Sequence, residues 1–386
     1  MDRAKGSPGS SRWQLIVTSI GRLSLAQLPV LSRGLSRSLH EVAETLCHAP
    51  ALLVDDLDHA TSHALHELLE GLGLEVRLEP HGTPVPPTPL FEVAVHVDDP
   101  SRTPAVAEAL AEFLGIEADR AFALLALPPG VVLGQVGEAL CERLAKRLGP
   151  GVVVSRARPE ESLFDLHVVT GSQLPAPLAA ELGLASSARP NGLVPVGLTH
   201  AGARRAWSMI RGRDDLRLVN RDLVRWDVVL SGTQRDTGVR DSADGGQSID
   251  ADASLVHPRV VQVLEACFGI PPRIAPRVLA AAPLALAEAL TRTEAERLAA
   301  RGREVGLAVM LEPAGFERAG LRVESARDRS ALSATLRRLG MPVPANLPAI
   351  IASNLSDLEA RTLAEALSGV GARTRYTEPA FTEAES

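Results

Sequence analysis

The chain has 386 residues, of which 45% are hydrophobic, 3% aromatic and 23% charged, with a formal net charge of -7 at pH 7. This length and apolar content allow two or three ordinary domains, or more small ones, each with its own core. The negative net charge excludes a global attraction to nucleic acid or to anionic membranes. The scarcity of aromatic residues argues against a stacking platform for single-stranded nucleic acid.

Cysteine usage indicates the compartment. Cys47, Cys141 and Cys267 are odd in number, far apart, and each lies in an apolar helical run. This pattern is typical of buried thiols in a reducing compartment. The apolar run at 15–17 is too short for a signal peptide or a membrane span. We therefore expect a cytoplasmic protein with no membrane partner.

One structural unit recurs along the chain, with the element order β-α-α-β-α-β. In its fullest copy the predicted elements are a strand at 13–20, helices at 23–33 and 38–48, a strand at 51–57, a helix at 58–72 and a strand at 74–79. The sequence predicts five such modules, numbered 1 to 5, at residues 12–80, 90–158, 162–220, 223–313 and 320–377. The predicted fold class is α+β, a tandem array in which each module is a three-stranded sheet with helices on one face.

The segments between and within the modules differ in composition. We predict a disordered N-terminus at 1–11, a Pro-rich linker at 81–89, a disordered Gly-, Asp- and Ser-rich insertion at 232–253 and an acidic tail at 378–386. The second helix is predicted to be abbreviated in module 3 and degraded in module 5.

Local signals define the third helix of each module. In module 4, Thr291 can cap a helix whose first turn carries Glu294 and Glu296. In module 1, Leu65, Leu68, Leu69 and Leu72 follow helical periodicity and predict one apolar stripe packed on the sheet.

The repeats also resemble a known family. LHEVAETLCHAP, at residues 39–50, matches the end of the helix-turn-helix signature VIKxVRxxTGLGLKEAKxLVExAP, and residues 282–311 match the segment that follows it. The signature and the segment after it are those of the C-terminal domain of the bacterial ribosomal stalk protein, large-subunit protein seven/twelve. The Clp protease adaptor family shares the fold of this domain. In the stalk family this helix pair recruits translation GTPases and its lysines contribute.

The resemblance implies partner-binding surfaces on the helix pairs. Pro29, His40 and Ala43 occupy three of the family's lysine positions, and basic residues persist nearby. The predicted partner-binding residues of the helix pairs are Arg33, Arg37, His40, Arg120, Arg273 and Arg277.

Two further groups of residues are candidate sites. On the third helix of module 1, the spacing of His59, His63, His66 and Glu70 places them within roughly 60° of one helix face, a weak candidate for zinc or nickel beside the alternative of a solvated face. The segment 203–225 is the locally basic region. Its residues Arg204, Arg205, Arg211 and Arg213 could contact RNA phosphates or an acidic protein, or could pair with the protein's own carboxylates.

Catalytic motifs are absent from the sequence: it has no phosphate-binding loop, dinucleotide fingerprint, nucleophile elbow or CxxC pair. The cluster of Asp55, Asp56 and Asp58 is better explained by helix capping at Asp58. We therefore predict a non-catalytic scaffold, without cofactor, that binds protein partners. The alternatives are a translation-linked protein that associates with the ribosome or a translation factor, and a metal-binding protein or enzyme. Nucleic-acid binding is predicted only for the segment from Arg204 to Arg225.

Overall fold

The structure, a computed structural model, describes residues 12–23, 27–169, 172–184, 192–233 and 257–378. These residues form five separate three-stranded sheets, one from the strands of each predicted module. In every sheet the first strand of the module lies in the centre, between the second and the third. In modules 1, 2, 4 and 5 the central strand is antiparallel to both neighbours. The predicted fold class is confirmed.

Modules 1 and 2 contain all six expected elements. Module 1 is formed by β1 (Trp13–Ser19), α1 (Leu28–Gly34), α2 (Leu39–Cys47), β2 (Ala51–Leu57), α3 (His59–Gly71) and β3 (Glu75–Pro80). Module 2 is formed by β4 (Phe91–Val97), α4 (Thr103–Leu114), α5 (Ala118–Ala126), β5 (Val131–Val136), α6 (Glu138–Leu148) and β6 (Val152–Ala157).

Module 4 also has both helices of the pair, whereas modules 3 and 5 have one of them in the described residues. Module 3 has β7 (Phe164–Val168), α7 (Ala176–Glu181), β8 (Gly192–Leu198), α8 (His200–Ile210) and β9 (Leu216–Asn220). Module 4 has β10 (Trp226–Thr233), α9 (Pro258–Phe268), α10 (Ala275–Ala280), β11 (Leu284–Leu290), α11 (Arg292–Glu304) and β12 (Leu307–Pro313). Module 5 has β13 (Arg318–Ala326), α12 (Arg329–Arg338), β14 (Ala349–Ser356), α13 (Asp357–Ser368) and β15 (Ala372–Thr377).

Several predicted boundaries need correction or fall elsewhere. Gly232 and Thr233, predicted to begin the insertion, instead end β10, where they pair with Ala308 and Leu307. The rest of the predicted insertion, the predicted N-terminus 1–11 and the tail beyond Glu378 lie outside the described residues. Residues 186–191, where the second helix of module 3 would be expected, also lie outside the described residues.

The third helices begin with a repeated cap. Asp58, Thr199, Thr291 and Ser356 each accept a hydrogen bond from a backbone N–H of the first turn. The predicted Thr291 cap is confirmed, and Glu294 closes a reciprocal capping box. In module 2 the cap position is Gly137, which has no side chain to offer.

In every module the residue two positions before the cap of the third helix has a left-handed backbone conformation. Asp56, Gln135, Gly197, Ala289 and Asn354 all have φ between +54° and +63°. In modules 1, 2, 4 and 5 the register between the central and second strands shifts near this position. This bulge turns the chain from the second strand into the third helix.

The module cores consist mainly of aliphatic side chains, to which the strands, the helix pair and the third helix all contribute. In module 1, Leu15, Val17 and Leu69 are buried, with Leu65 and Leu72 packed against them. Leu68 is 60% exposed, so its predicted place in the stripe is wrong. A helix advances 100° per residue, which turns Leu68 away from the direction of Leu69.

The chain divides into two compact units. The first comprises Met1–Phe164, Val196–Arg211 and Arg318–Ser386, and therefore contains modules 1, 2 and 5 together with α8. The second comprises Asp165–Pro195 and Gly212–Glu317, and therefore contains module 4 and most of module 3. Within the first unit, module 5 packs on module 2, although modules 3 and 4 separate them in the sequence.

Candidate interaction surfaces

Modules 1 and 2 meet where α6 begins. The backbone N–H of Gly137 donates to the carbonyl oxygen of Cys47, at the end of α2, over 2.7 Å. A Cβ atom at Gly137 would stand 2.4 Å from the carbonyl oxygen of Ala49. Glycine thus replaces the side-chain cap of the other third helices, because the neighbouring module approaches this position too closely for any side chain.

Modules 2 and 5 meet through another third helix. Arg361 of α13 donates from Nη2 to the carbonyl oxygen of Asp98 over 2.5 Å, and the hydroxyl oxygens of Thr362 and Thr103 are 3.2 Å apart. Leu358, in the first turn of α13, packs against the apolar core that modules 1 and 2 share. The same helix contacts α5 and the 3-10 turn before α4.

Both contacts involve a third helix, but they use different parts of the receiving module: the end of the second helix in module 1, and the second helix together with the turn before the first helix in module 2. In each, a third helix docks on the side formed by the helix pair and the turns at its ends, which we call the helix-pair side. In modules 1 and 2 this side is therefore partly covered by the chain itself. The turn between the second helix and the second strand, which we call the docking corner, is the part that receives Gly137.

The docking corner of module 4 is exposed. Ala280, Ala281 and Pro283 are exposed, and Leu284 is 39% exposed. Ala282, the equivalent of Ala49, is half-buried, whereas Ala49 in module 1 is 3% exposed. The predicted partner-binding residues Arg273 and Arg277 lie on the same side of module 4 and are exposed. Between them Ile274 leaves 37% of its surface open.

The predicted residues of the other helix pairs have mixed surroundings. Arg33 donates to the carbonyl oxygen of Pro29 within its own helix, and Arg37 is half-buried and donates to that of Leu53 over 2.9 Å. Arg37 thus joins the turn before α2 to β2. His40 and Arg120 are exposed.

The basic segment 203–225 divides between the two units. Arg213 lies in the second unit and forms a bidentate pair with Asp215, whose pKa is lowered to about 2, chiefly by this hydrogen bond. In the same unit, Arg221 donates to buried Asp165, with 2.7 Å between Nε and Oδ2. Arg204, Arg205 and Arg211 lie in the first unit, and all three are exposed. The charge of Arg213 is thus neutralised within module 3, as in the alternative that these arginines pair with the protein's own carboxylates. Partner binding by this patch stays a prediction.

The histidines of α3 pack on an aromatic ring. The rings of His59 and His63 are 4.4 Å apart, and both lie edge-on to Trp13, with centroids at 5.9 and 6.4 Å. His66 pairs with Glu70 at 3.7 Å. Among the described residues no group of three His, Cys, Asp or Glu side chains is arranged to hold a metal ion.

The acidic cluster of module 1 is also divided among separate partners. Asp58 caps α3, as predicted. Asp55 accepts from His81 over 2.6 Å, which raises the pKa of His81 and lowers that of Asp55. Asp56 pairs with Arg12. These carboxylates therefore do not face a common centre.

The three cysteines are free thiols. Cys141 is buried and burial raises its pKa to about 11, whereas Cys47 and Cys267 are half-buried. The prediction of buried thiols is confirmed for Cys141 alone. A raised thiol pKa disfavours the reactive thiolate.

A repeated triplet at the start of the central strand was not predicted. The sequence carries an aromatic, a polar and an aliphatic residue in turn, as WQL, FEV, FDL and WDV in modules 1 to 4. The aromatic ring meets the first residue of the third helix in three modules: Trp13 with His59, Phe164 with His200, and Trp226 with Arg292. The polar residue makes structural bonds, as when Asp227 accepts from the backbone N–H of Ala289 over 2.7 Å. Alignment of the first strands of the modules would have shown this triplet from the sequence alone.

Of the helices in the described part of the chain, none combines the length and apolarity needed to cross a bilayer. Comparison with protein-family models, with curated proteins and with solved structures found no match to this chain.

Proposed function

We propose that this chain is a non-catalytic, cytoplasmic scaffold that binds protein partners through the helix-pair sides of its modules. The observation that carries the proposal is the use of this side as a docking surface within the chain, by α6 on module 1 and by α13 on module 2. A side that binds a helix of its own chain has the shape and the backbone acceptors to bind a helix of another protein.

In module 4 the docking corner of the helix-pair side is exposed. Its exposed docking corner, Ile274 and the two arginines combine apolar area with positive charge. Arginine is enriched at interface hot spots, and the buried core of an interface is more apolar than the rest of the surface. The modules share a backbone framework but differ in exposed side chains, which suits a scaffold that distinguishes its partners.

The test is a quantitative affinity purification from the native lysate. The bait is the full chain, compared with Arg273→Glu/Arg277→Glu and with the matched control Arg297→Glu/Arg301→Glu, which changes two exposed arginines four residues apart on α11 of the same module. We expect a protein captured in stoichiometric amount by the wild type and the control but not by the first variant.

Two results would overturn the proposal. One is the absence of any stoichiometric partner, and the other is a partner retained equally by both double variants. Sedimentation through a sucrose cushion tests the translation-linked alternative that the stalk resemblance suggests. Salt-sensitive pelleting with ribosomes, or capture of an elongation factor, would replace the general scaffold with that function.

A further inference from the structure

The exposed surface of α8 carries large and charged side chains that the fold of module 3 does not require. The buried residues of α8 are small or aliphatic: Gly202, Ala203, Ala206 and Ile210. With 100° between successive residues, Arg204, Trp207, Ser208 and Arg211 fall within about 100° of arc beside this buried face, with Trp207 at its edge, about 40° from Ala203. All four are exposed, and we call them the Arg–Trp face.

Trp207 differs from the other two tryptophans of the chain. Trp13 and Trp226 start central strands, have buried indole nitrogens and contact the first residue of a third helix. Trp207 is 53% exposed. The equivalent position, eight residues after the cap, is alanine in modules 2, 4 and 5, at Ala145, Ala299 and Ala364. The fold therefore does not require a large aromatic side chain there.

The charges on either side of Trp207 are available to a partner. In the part of the chain that the structure describes, no ion pair involves Arg204 or Arg211, whereas nearby Arg213 is neutralised by Asp215. Arg204 and Arg211 are seven residues apart, two helical turns, which corresponds to about 10.5 Å along the axis. An exposed tryptophan between two arginines combines the residue types that dominate interface hot spots.

We propose that the Arg–Trp face binds an acidic amphipathic helix of a protein partner. A helix with carboxylates seven residues apart and leucines between them matches the spacing of the two arginines and offers apolar surface to the indole. Single-stranded nucleic acid fits less well, because its platforms stack successive bases on several aromatic rings, and this face has one. The proposal rests on the scaffold function and adds the chemistry of a partner at module 3.

Trp207 is also the reporter for a direct test. The probe is a synthetic 18-residue helical peptide with Glu at two positions seven apart and Leu three and four residues after the first Glu. Its control is a scrambled peptide of the same composition. The full chain is titrated while tryptophan emission is recorded, and binding of a fluorescein-labelled peptide is followed by anisotropy.

The variants separate this face from general charge. We expect a saturable blue shift with the designed peptide, which Trp207→Phe removes because the other two tryptophans are already buried at the indole nitrogen. Arg204→Gln/Arg211→Gln should weaken binding at least tenfold by anisotropy. Arg337→Gln/Arg338→Gln, which removes two exposed arginines of α12, should change it less than twofold. Circular dichroism checks that each variant is folded.

The proposal would be overturned by the lack of a saturable response to the designed peptide, by equal binding of the scrambled peptide, or by equal losses in the two double variants. Tighter binding of a 15-residue oligothymidine at the same salt concentration would assign the face to single-stranded nucleic acid instead. A stoichiometric partner captured from the lysate without peptide binding would leave the scaffold function intact and remove this inference alone. Peptide binding without a captured partner would support this inference and remove the scaffold function.

Discussion

Gly137 and Cys47 join two modules through a single backbone hydrogen bond of 2.7 Å, made at the one third-helix start whose cap has no side chain. The φ of Gly137 is -70°, which any residue can adopt. Glycine is therefore needed here for space, since the carbonyl oxygen of Ala49 would lie 2.4 Å from a Cβ atom.

Replacing Gly137 by serine should destabilise the first unit, although serine is the better helix cap in isolation. Displacing the neighbouring carbonyl should cost about 1–3 kcal/mol, the range for overpacking. The measurement is the free energy of unfolding from guanidinium titration, with hydrogen exchange at residues 137–141 as the local readout. Gly134→Ser is the control, because nothing lies within 4 Å of a Cβ atom there. Unchanged or increased stability of Gly137→Ser would contradict the docking argument.

The left-handed residue of module 4 gives a second prediction. Ala289 has φ of +54°, a conformation that disfavours any side chain. Ala289→Gly should therefore stabilise module 4 by about 0.5–1 kcal/mol after allowance for the more flexible unfolded chain. Ala285→Gly, in the same strand, should destabilise it by a similar amount because it has no such strain to relieve. Chemical denaturation of both variants is the test, and shifts of the same sign would refute the explanation.

The order of elements could be predicted because its signals are local. Thr291 and Glu294 lie three residues apart, and a capping box needs no other part of the chain. Gly115 ends the first helix of module 2 with φ of +68°, a conformation that glycine adopts readily. These features depend on backbone preferences that neighbouring residues express by themselves.

The surfaces could not be predicted in the same way, because they depend on residues distant in sequence. Asp165 and Arg221 are 56 residues apart, and their pairing removes one charge from the basic segment. The contact of Arg361 with Asp98 spans 263 residues. The equivalence of Gly137 to the capping residues was visible in the repeat, but the carbonyl that excludes a side chain belongs to another module.

The buried pair of Asp165 and Arg221 should be strongly coupled. Their side chains are 1% and 15% exposed, so removal of either one breaks an ion pair in a site with little access to water. We expect each alanine substitution to cost about 3 kcal/mol, with a coupling of about 1–3 kcal/mol in the double-mutant cycle. The exposed pair of Arg301 and Glu304 is the control, and its coupling should be below about 0.5 kcal/mol. Equal couplings in the two cycles would show that burial does not strengthen the first pair.

Metal removal distinguishes the packing of the α3 histidines from metal binding. Because His59 and His63 pack on Trp13, dialysis against a chelator should leave the unfolding midpoint unchanged, and added zinc should not raise it. His63→Ala should lower the midpoint to the same extent with and without chelator. Metal that copurifies with the wild type and is lost from His63→Ala would support a metal site instead.

The ion pair of Arg213 and Asp215 predicts how the free energy of unfolding declines at acidic pH. The hydrogen bond from Arg213 is the main reason why the pKa of Asp215 falls from 3.8 to about 2 in the folded protein. A carboxyl whose folded pKa lies below its unfolded value stabilises the fold above the unfolded pKa, and that contribution is lost as the pH falls toward the folded one. The window is therefore pH 3.8 to about 2. Asp215→Asn should make the decline of unfolding free energy shallower in this window, as measured by urea titration at a series of pH values. Parallel curves for Asp215→Asn and the wild type would show that the pair does not stabilise the second unit.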